Sequence, residues 1–171
     1  MNKVLVVTYS HTGTSRKLSQ SLCSLQGWEL AEIADERPRG NLRCILDSML
    51  RRCPAIRYDG PDPRRFDTVV LVSPIWAGRL AGPMRSFVAT RRALLPDVAL
   101  VLVMAGQGAP DAVAEIGRRL GRAPILDAAF TTAEVDDGSF APRLQAFGQA
   151  VQSAKDKKTA MQASGLSPKT A

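Results

Sequence analysis

Val4-Leu5-Val6-Val7-Thr8-Tyr9-Ser10-His11-Thr12-Gly13-Thr14-Ser15 is the stretch on which the fold turns. Val4 to Thr8 is a continuous apolar run, as expected of a strand buried on both faces. It feeds a polar loop, Ser10 to Ser15, in which four hydroxyls surround one glycine. Leu18, Leu22 and Leu25 follow at helical spacing. A buried strand, a short polar loop and a helix make the opening unit of an α/β chain.

The same alternation continues outward. Trp28 to Ile33, which carries Glu29 and Glu32, alternates with one drier face and reads as a second strand. The charged, Pro38-bearing stretch Asp35 to Gly40 is a loop. Leu42, Ile45, Leu46, Met49, Leu50 and Cys53 then fit the i, i+3, i+4, i+7 pattern of an amphipathic helix, which Pro54 ends. Val69 to Val72 and Val98 to Met104 are two more continuous strands. Met84, Phe87 and Val88 mark the helix after the first of these, and Val113, Ile116 and Leu120 the helix after the second. A fifth strand lies near Ile125 to Phe130, and a last helix carries Leu144, Phe147 and Val151. Beyond Ser153 no apolar stripe remains, and a frayed end is expected.

Five strands, each followed by a helix, imply a parallel sheet between two helical layers, an αβα sandwich. The second strand is half polar and the fifth is diluted by Asp127 and two alanines, so these two read as edges. Right-handed crossovers then give the order 2-1-3-4-5. In that order the first and third strands are neighbours whose helices lie on opposite faces. A crevice opens at their carboxyl ends, where ligands bind in such sheets. Ser10–Ser15, Pro74–Gly82 and Ala105–Pro110 line it.

Composition bounds the possibilities. The chain has 171 residues and a mass of 18.4 kDa, so one domain over residues 1–155 and a basic tail over 156–171 are expected. No apolar run approaches the roughly 18 residues of a membrane span, and the N-terminal run is too short for a signal-peptide core. A cytoplasmic location is expected. The net charge of +7 allows nucleic acid, an anionic membrane surface, an acidic protein or a phosphorylated ligand as partner. No basic stripe is interleaved with aromatics, which argues against nucleic acid. Three cysteines without a Cys-x-x-Cys pair, and His11 as the one histidine, are too few ligands for structural zinc, and no metal is expected. An odd cysteine count fits free thiols in a reducing compartment. Cys23 and Cys53 fall on or near apolar helical faces and read as buried structural thiols.

The first loop suits a phosphate. Gly13 lets successive N–H groups turn inward, and the helix start adds positive partial charge to the hydroxyls of Ser10, Thr12, Thr14 and Ser15. One hydroxyl is enough for an ordinary helix cap, and four with a glycine exceed that need. His11 contributes its backbone N–H on the plainer reading; on the sharper one its imidazole gains a proton beside a phosphate dianion. The Gly-x-x-x-x-Gly-Lys loop of nucleotide hydrolases is absent. The spacing Ser10 to Arg16 mimics the Cys-x5-Arg loop of small tyrosine phosphatases, but serine occupies the thiolate position. Gly106-Gln107-Gly108 lacks the third spaced glycine of a dinucleotide fingerprint. In the second loop, Trp76 between Pro74-Ile75 and Ala77-Gly78 offers a flat surface on a tight turn, suited to a planar ring.

These two segments carry a resemblance. Tyr9-Ser10-His11-Thr12-Gly13-Thr14-Ser15, within Val4–Leu18, resembles the phosphate-binding signature of the flavodoxin family. Phe66-Asp67-Thr68, leading to Ser73-Pro74-Ile75-Trp76-Ala77-Gly78 and Gly82-Pro83-Met84, resembles that family's second flavin loop. The resemblance implies non-covalent flavin mononucleotide (FMN). Ser10, His11, Thr12, Gly13, Thr14 and Ser15 would hold its phosphate, and Pro74, Ile75, Trp76, Ala77 and Gly78 would flank the isoalloxazine, with Trp76 against its face. Gly106, Gln107 and Gly108 would edge the ring. Two departures stand out. Met104 to Pro110 supplies no second aromatic, leaving one ring face open for a substrate or partner. The chain is also basic, whereas electron-carrier flavodoxins are usually acidic. An electron carrier serving a redox partner protein is one expectation. An oxidoreductase taking hydride from NAD(P)H and passing electrons to a quinone is the second, and a flavodoxin-fold binding module without cofactor the third. Catalytic side chains are not identified, and oligomerisation stays open.

Overall fold

The computed structural model describes residues 3–37 and 40–165. Its middle layer holds five parallel strands, β1 (Val4–Tyr9), β2 (Glu29–Asp35), β4 (Thr68–Trp76), β6 (Asp97–Met104) and β7 (Leu126–Thr131). Two short antiparallel strands join them, β3 (Ile56–Tyr58) and β5 (Arg79–Leu80). The sheet runs β3-β2-β1-β4-β6-β7, with β5 paired to β4. The parallel strands therefore take the expected 2-1-3-4-5 order, and the strand count is seven rather than five. The second parallel strand is not an edge. β3 covers it, with Ile33 opposite Tyr58 and Asp35 opposite Ile56. Three residues between Pro54 and Gly60 are too short a run to show strand periodicity.

Successive residues of a strand face opposite sides of the sheet, and this builds two cores. Leu5, Val7, Val69, Leu71 and Leu100 face α3 (Gly82–Arg91) and α4 (Ala109–Leu120), meeting Met84, Phe87 and Ile116. Val4, Val6, Val70, Val72 and Val101 face α1 (Thr14–Gln26) and α6 (Ala141–Gly165), meeting Leu18, Leu22, Leu144 and Phe147. The outer edge β7 is followed by α5 (Thr132–Asp137), which begins with a capping box between Thr131 and Glu134. Arg143 joins Glu134 at 2.6 Å and donates to the Ala129 carbonyl at 2.9 Å, covering part of the open edge.

The last helix departs from expectation. Its backbone stays helical to Gly165, past Ser153 where fraying is expected. Alanine, lysine, glutamine and methionine are strong helix formers and continue a helix without an apolar stripe. Residues 166–171 of the expected tail lie outside the described residues. Among the described residues, no helix is long and apolar enough to cross a membrane.

The second helix, α2 (Asn41–Met49), also departs from its pattern. Cys44, Asp47 and Ser48 are its buried residues, while Leu42, Ile45, Leu46, Met49 and Leu50 are exposed. Cys53 is exposed too, not the buried thiol expected. The cause is Arg85 of α3, which is 0 % exposed. Its Nη1 donates to the carbonyls of Arg52 at 2.9 Å and Asp47 at 3.4 Å. Its Nη2 donates to those of Leu80 at 2.8 Å and Ser48 at 3.4 Å. Its Nε reaches Glu115 at 2.6 Å. Five donors meet five acceptors, the full capacity of a guanidinium. Holding the terminal carbonyls of α2 turns its polar side inward and leaves the apolar stripe outside. Cys23 is half-buried, and burial pushes its thiol up to about 11, so it is inert near neutral pH.

Candidate functional site

The first loop leaves β1 and enters α1 through Gly13, whose φ of 98° places it in the left-handed region that glycine adopts without strain. No side chain caps α1, so the first N–H groups of the helix stay available to an anion. The Ser10 hydroxyl accepts from the Gly13 N–H at 3.0 Å and fixes the turn. The Thr12 and Thr14 hydroxyls converge, 3.3 Å apart. Ser15 is buried, and its carbonyl accepts from the Ser19 hydroxyl at 2.8 Å. Arg16 is committed elsewhere. Its guanidinium grips Glu32 through two bonds of 2.9 and 3.0 Å, which raises its pKa. Any phosphate here would be held by neutral donors.

The second loop is a hairpin. Trp76 pairs with Arg79 across Ala77 and Gly78, whose φ values of 49° and 70° are those of a type I′ turn. Trp76 is half-buried. Its ring lies edge-on to Tyr9 at 6.1 Å and to His11 at 5.8 Å, so the indole stands over the end of β1. Pro74 and Ile75 continue β4 into the hairpin, with Ile75 buried. Ala77 bears left-handed strain, which costs a non-glycine residue about 1–2 kcal/mol. Ala77→Asn creates the Asn-Gly pair preferred in this turn. We expect it to stabilise the apoprotein by about 1 kcal/mol and raise Tm by about 2–4 °C, read by thermal denaturation.

The third loop meets the second backbone to backbone. A Cβ on Gly108 would lie 2.4 Å from the Gly78 Cα, so the two chains touch where both residues lack side chains. Gly106 and Gln107 are exposed on the same loop.

The structure thus joins the first loop to the second through His11 and Trp76, and the second to the third through Gly78 and Gly108. Two participants escape a reading of the sequence. Asn41, the first residue of α2, bonds His11 (Oδ1 to Nε2, 2.5 Å) and ties α2 to the first loop. Arg85 holds the Leu80 carbonyl and so anchors the hairpin that carries Trp76. Arg85 sits in the Gly82-Pro83-Met84-Arg85 stretch, and no local periodicity marks it as buried.

No protein-family model matches the sequence, and no curated protein matches it. Solved structures do. A flavoprotein from Lactobacillus acidophilus, crystallised in complex with FMN, is 23 % identical at a TM-score of 0.68, over 81 % of this chain and 99 % of that one. A flavodoxin, WrbA-like protein from Agrobacterium tumefaciens is 11 % identical at 0.60, over 91 % and 99 %. A flavodoxin from the domain Archaea is 16 % identical at 0.53, over 90 % and 99 %. The strand order, the loops at the carboxyl ends of β1, β4 and β6, and these likenesses agree: the chain has the flavodoxin-like fold.

Proposed function

We propose that the chain is an FMN-binding redox protein. The observation that carries this reading is the convergence of an uncapped, glycine-started helix with the Trp76 hairpin. One presents N–H groups and two hydroxyls for a phosphate, and the other a flat ring surface. The FMN bound to the similar Lactobacillus acidophilus flavoprotein supports it. The N–H groups from Thr12 to Ser15, with the Thr12 and Thr14 hydroxyls, would hold the phosphate, and Trp76 would flank the isoalloxazine. Backbone groups of Ala77 and Gly78 would tune the ring edge, and Gly108 would keep the crevice wall thin. Bound FMN would supply one- and two-electron transfer, while the chain supplies binding, orientation and tuning. The three free thiols suit a reducing compartment, for which we propose the cytoplasm.

Titration of FMN into the apoprotein, followed by flavin fluorescence, tests the reading. A hydrogen bond to a charged group contributes about 1.5–3 kcal/mol. Thr12→Ala/Thr14→Ala is therefore expected to weaken binding at least about 100-fold while leaving stability nearly unchanged. Equal affinity in the double variant would remove the phosphate loop from the reading. Absence of binding in the native chain would favour a binding module without cofactor.

A second reading is an oxidoreductase passing electrons from NAD(P)H to a quinone. The exposed third loop favours it, since Met104 to Pro110 supplies no aromatic side chain to cover a ring face. Steady-state oxidation of NADH or NADPH with a quinone separates the two, because a carrier turns over only with its protein partner.

A further inference from the structure

Helix α2 wears its apolar face outward. Leu42, Ile45, Leu46, Met49 and Leu50 recur at i, i+3, i+4, i+7 and i+8, and are between 40 and 82 % exposed. This orientation does not come from apolar burial. Arg85 fixes it by holding backbone carbonyls at the C-terminal end of the helix. A contiguous exposed apolar patch on a folded domain marks an interaction surface.

The charges around the patch select its occupant. Along 41–52 the exposed charged residues are Arg43, Arg51 and Arg52. The single acid, Asp47, is buried, 3.7 Å from Arg52. Arg37, Arg43 and Arg52 line the cleft beside the helix, together with Glu36. A second copy paired across a two-fold axis would set two such arginine clusters around one dry seam, with no exposed acid from either helix. That arrangement is repulsive. Tyrosine and tryptophan are frequent anchors of protein interfaces, and the exposed face of α2 has neither, while arginine and methionine serve both kinds of surface. Leucine, isoleucine and methionine rimmed by arginine is instead the composition of a helix lying in a lipid interface. Its apolar side chains enter the acyl boundary and its cations meet lipid phosphates.

We propose that α2 docks the protein peripherally on a membrane surface containing anionic phospholipid. The inference rests on α2 and its arginines, not on the flavin reading. The docked face would adjoin the candidate site, because Asn41 bonds His11.

Vesicle flotation of the full chain tests it, with phosphatidylcholine alone and with roughly one-third phosphatidylglycerol added. At low salt the chain should partition at least about tenfold more strongly onto the mixed vesicles, and salt should weaken binding. Leu42→Ser/Leu46→Ser/Met49→Ser should reduce partitioning about tenfold or more. Leu42→Asp guards against misfolding, since an acid in the first turn of a helix favours the fold while opposing an anionic surface. It should lose vesicle binding with unchanged thermal stability. Indifference to phosphatidylglycerol, full binding by both variants, or no vesicle binding would overturn the proposal. So would a dimer, measured by light scattering, that Leu42→Asp dissociates. Each result reads the same with or without FMN, so failure of FMN binding leaves the outcome interpretable.

Discussion

Arg85→Met is expected to cost about 3–5 kcal/mol of folding stability, the range for breaking a buried charge network from one side. The substitution keeps much of the side-chain volume, so a cavity is not the cause. Four carbonyls lose the guanidinium, those of Asp47 and Ser48 keeping a backbone N–H, and Glu115 keeps Arg119, at 3.2 Å, as its partner among the described residues. Arg85→Lys should also be costly, since an ammonium has three donors and no planar fork to reach three segments at once. Removing the pair together, as Arg85→Met/Glu115→Leu, tests the assignment more sharply. If the ion pair alone mattered, the double change would recover most of the loss. Here it should not, because the buried carbonyls of Leu80 and Arg52 still lose their short bonds of 2.8 and 2.9 Å, while those of Asp47 and Ser48 keep the backbone N–H groups of Arg52 and Arg51. Urea denaturation followed by circular dichroism measures all three. The pH dependence carries a sign. Burial pushes the Glu115 carboxyl up, but the hydrogen bonds and charges of Arg85 and Arg119 outweigh it and hold the group below the usual carboxylate range. A lowered folded-state pKa gives stability that is complete above the unfolded value, about 4.3, and is lost as pH falls through the folded one. Glu115→Gln should therefore flatten the stability profile below about pH 4 and lower stability at neutral pH.

The same arginine explains what could and could not be read from the residues in order. The five parallel strands announce themselves because each is buried, and burial writes itself as a run of valine and leucine. Their order follows from which runs are diluted. β3 is hidden because Ile56-Arg57-Tyr58 does not complete even two repeats of the two-residue pattern that would reveal it. α2 misleads in another way. Its apolar stripe is real and its helix forms, yet the stripe faces out. What orients the helix is a side chain more than thirty residues away, bonding to backbone carbonyls that have no sequence signature. The site divides along the same line. The hydroxyls around Gly13 and the Pro-Ile-Trp-Ala-Gly turn are local chemistry and legible. The contacts that assemble the loops, His11 with Asn41 and Gly78 with Gly108, exist only once the sheet has brought distant ends together.

The Gly78 and Gly108 contact yields the second large effect, and it is asymmetric. At Gly108 a Cβ would lie 2.4 Å from the Gly78 Cα and 3.2 Å from its carbonyl carbon. These are backbone atoms that no rotamer change can move aside. The φ of Gly108 is also +113°, a conformation side chains rarely adopt. Gly108→Ala therefore combines overpacking, about 1–3 kcal/mol, with backbone strain of about 1–2 kcal/mol. A loss of about 2–5 kcal/mol is expected in urea denaturation of the apoprotein. The relaxation available is for the third loop to swing away from the hairpin, which widens the crevice beside Trp76. FMN affinity should fall at least about tenfold even in the fraction that stays folded. At Gly78 the corresponding Cβ would meet only the Gly108 Cα, at 4.0 Å, an ordinary contact. Gly78→Ala should then cost only the left-handed penalty of about 1–2 kcal/mol and leave the loops together. If the two alanine variants were equally destabilised, the close approach would not be what joins the second and third loops. Gly108 would then matter only as the start of α4.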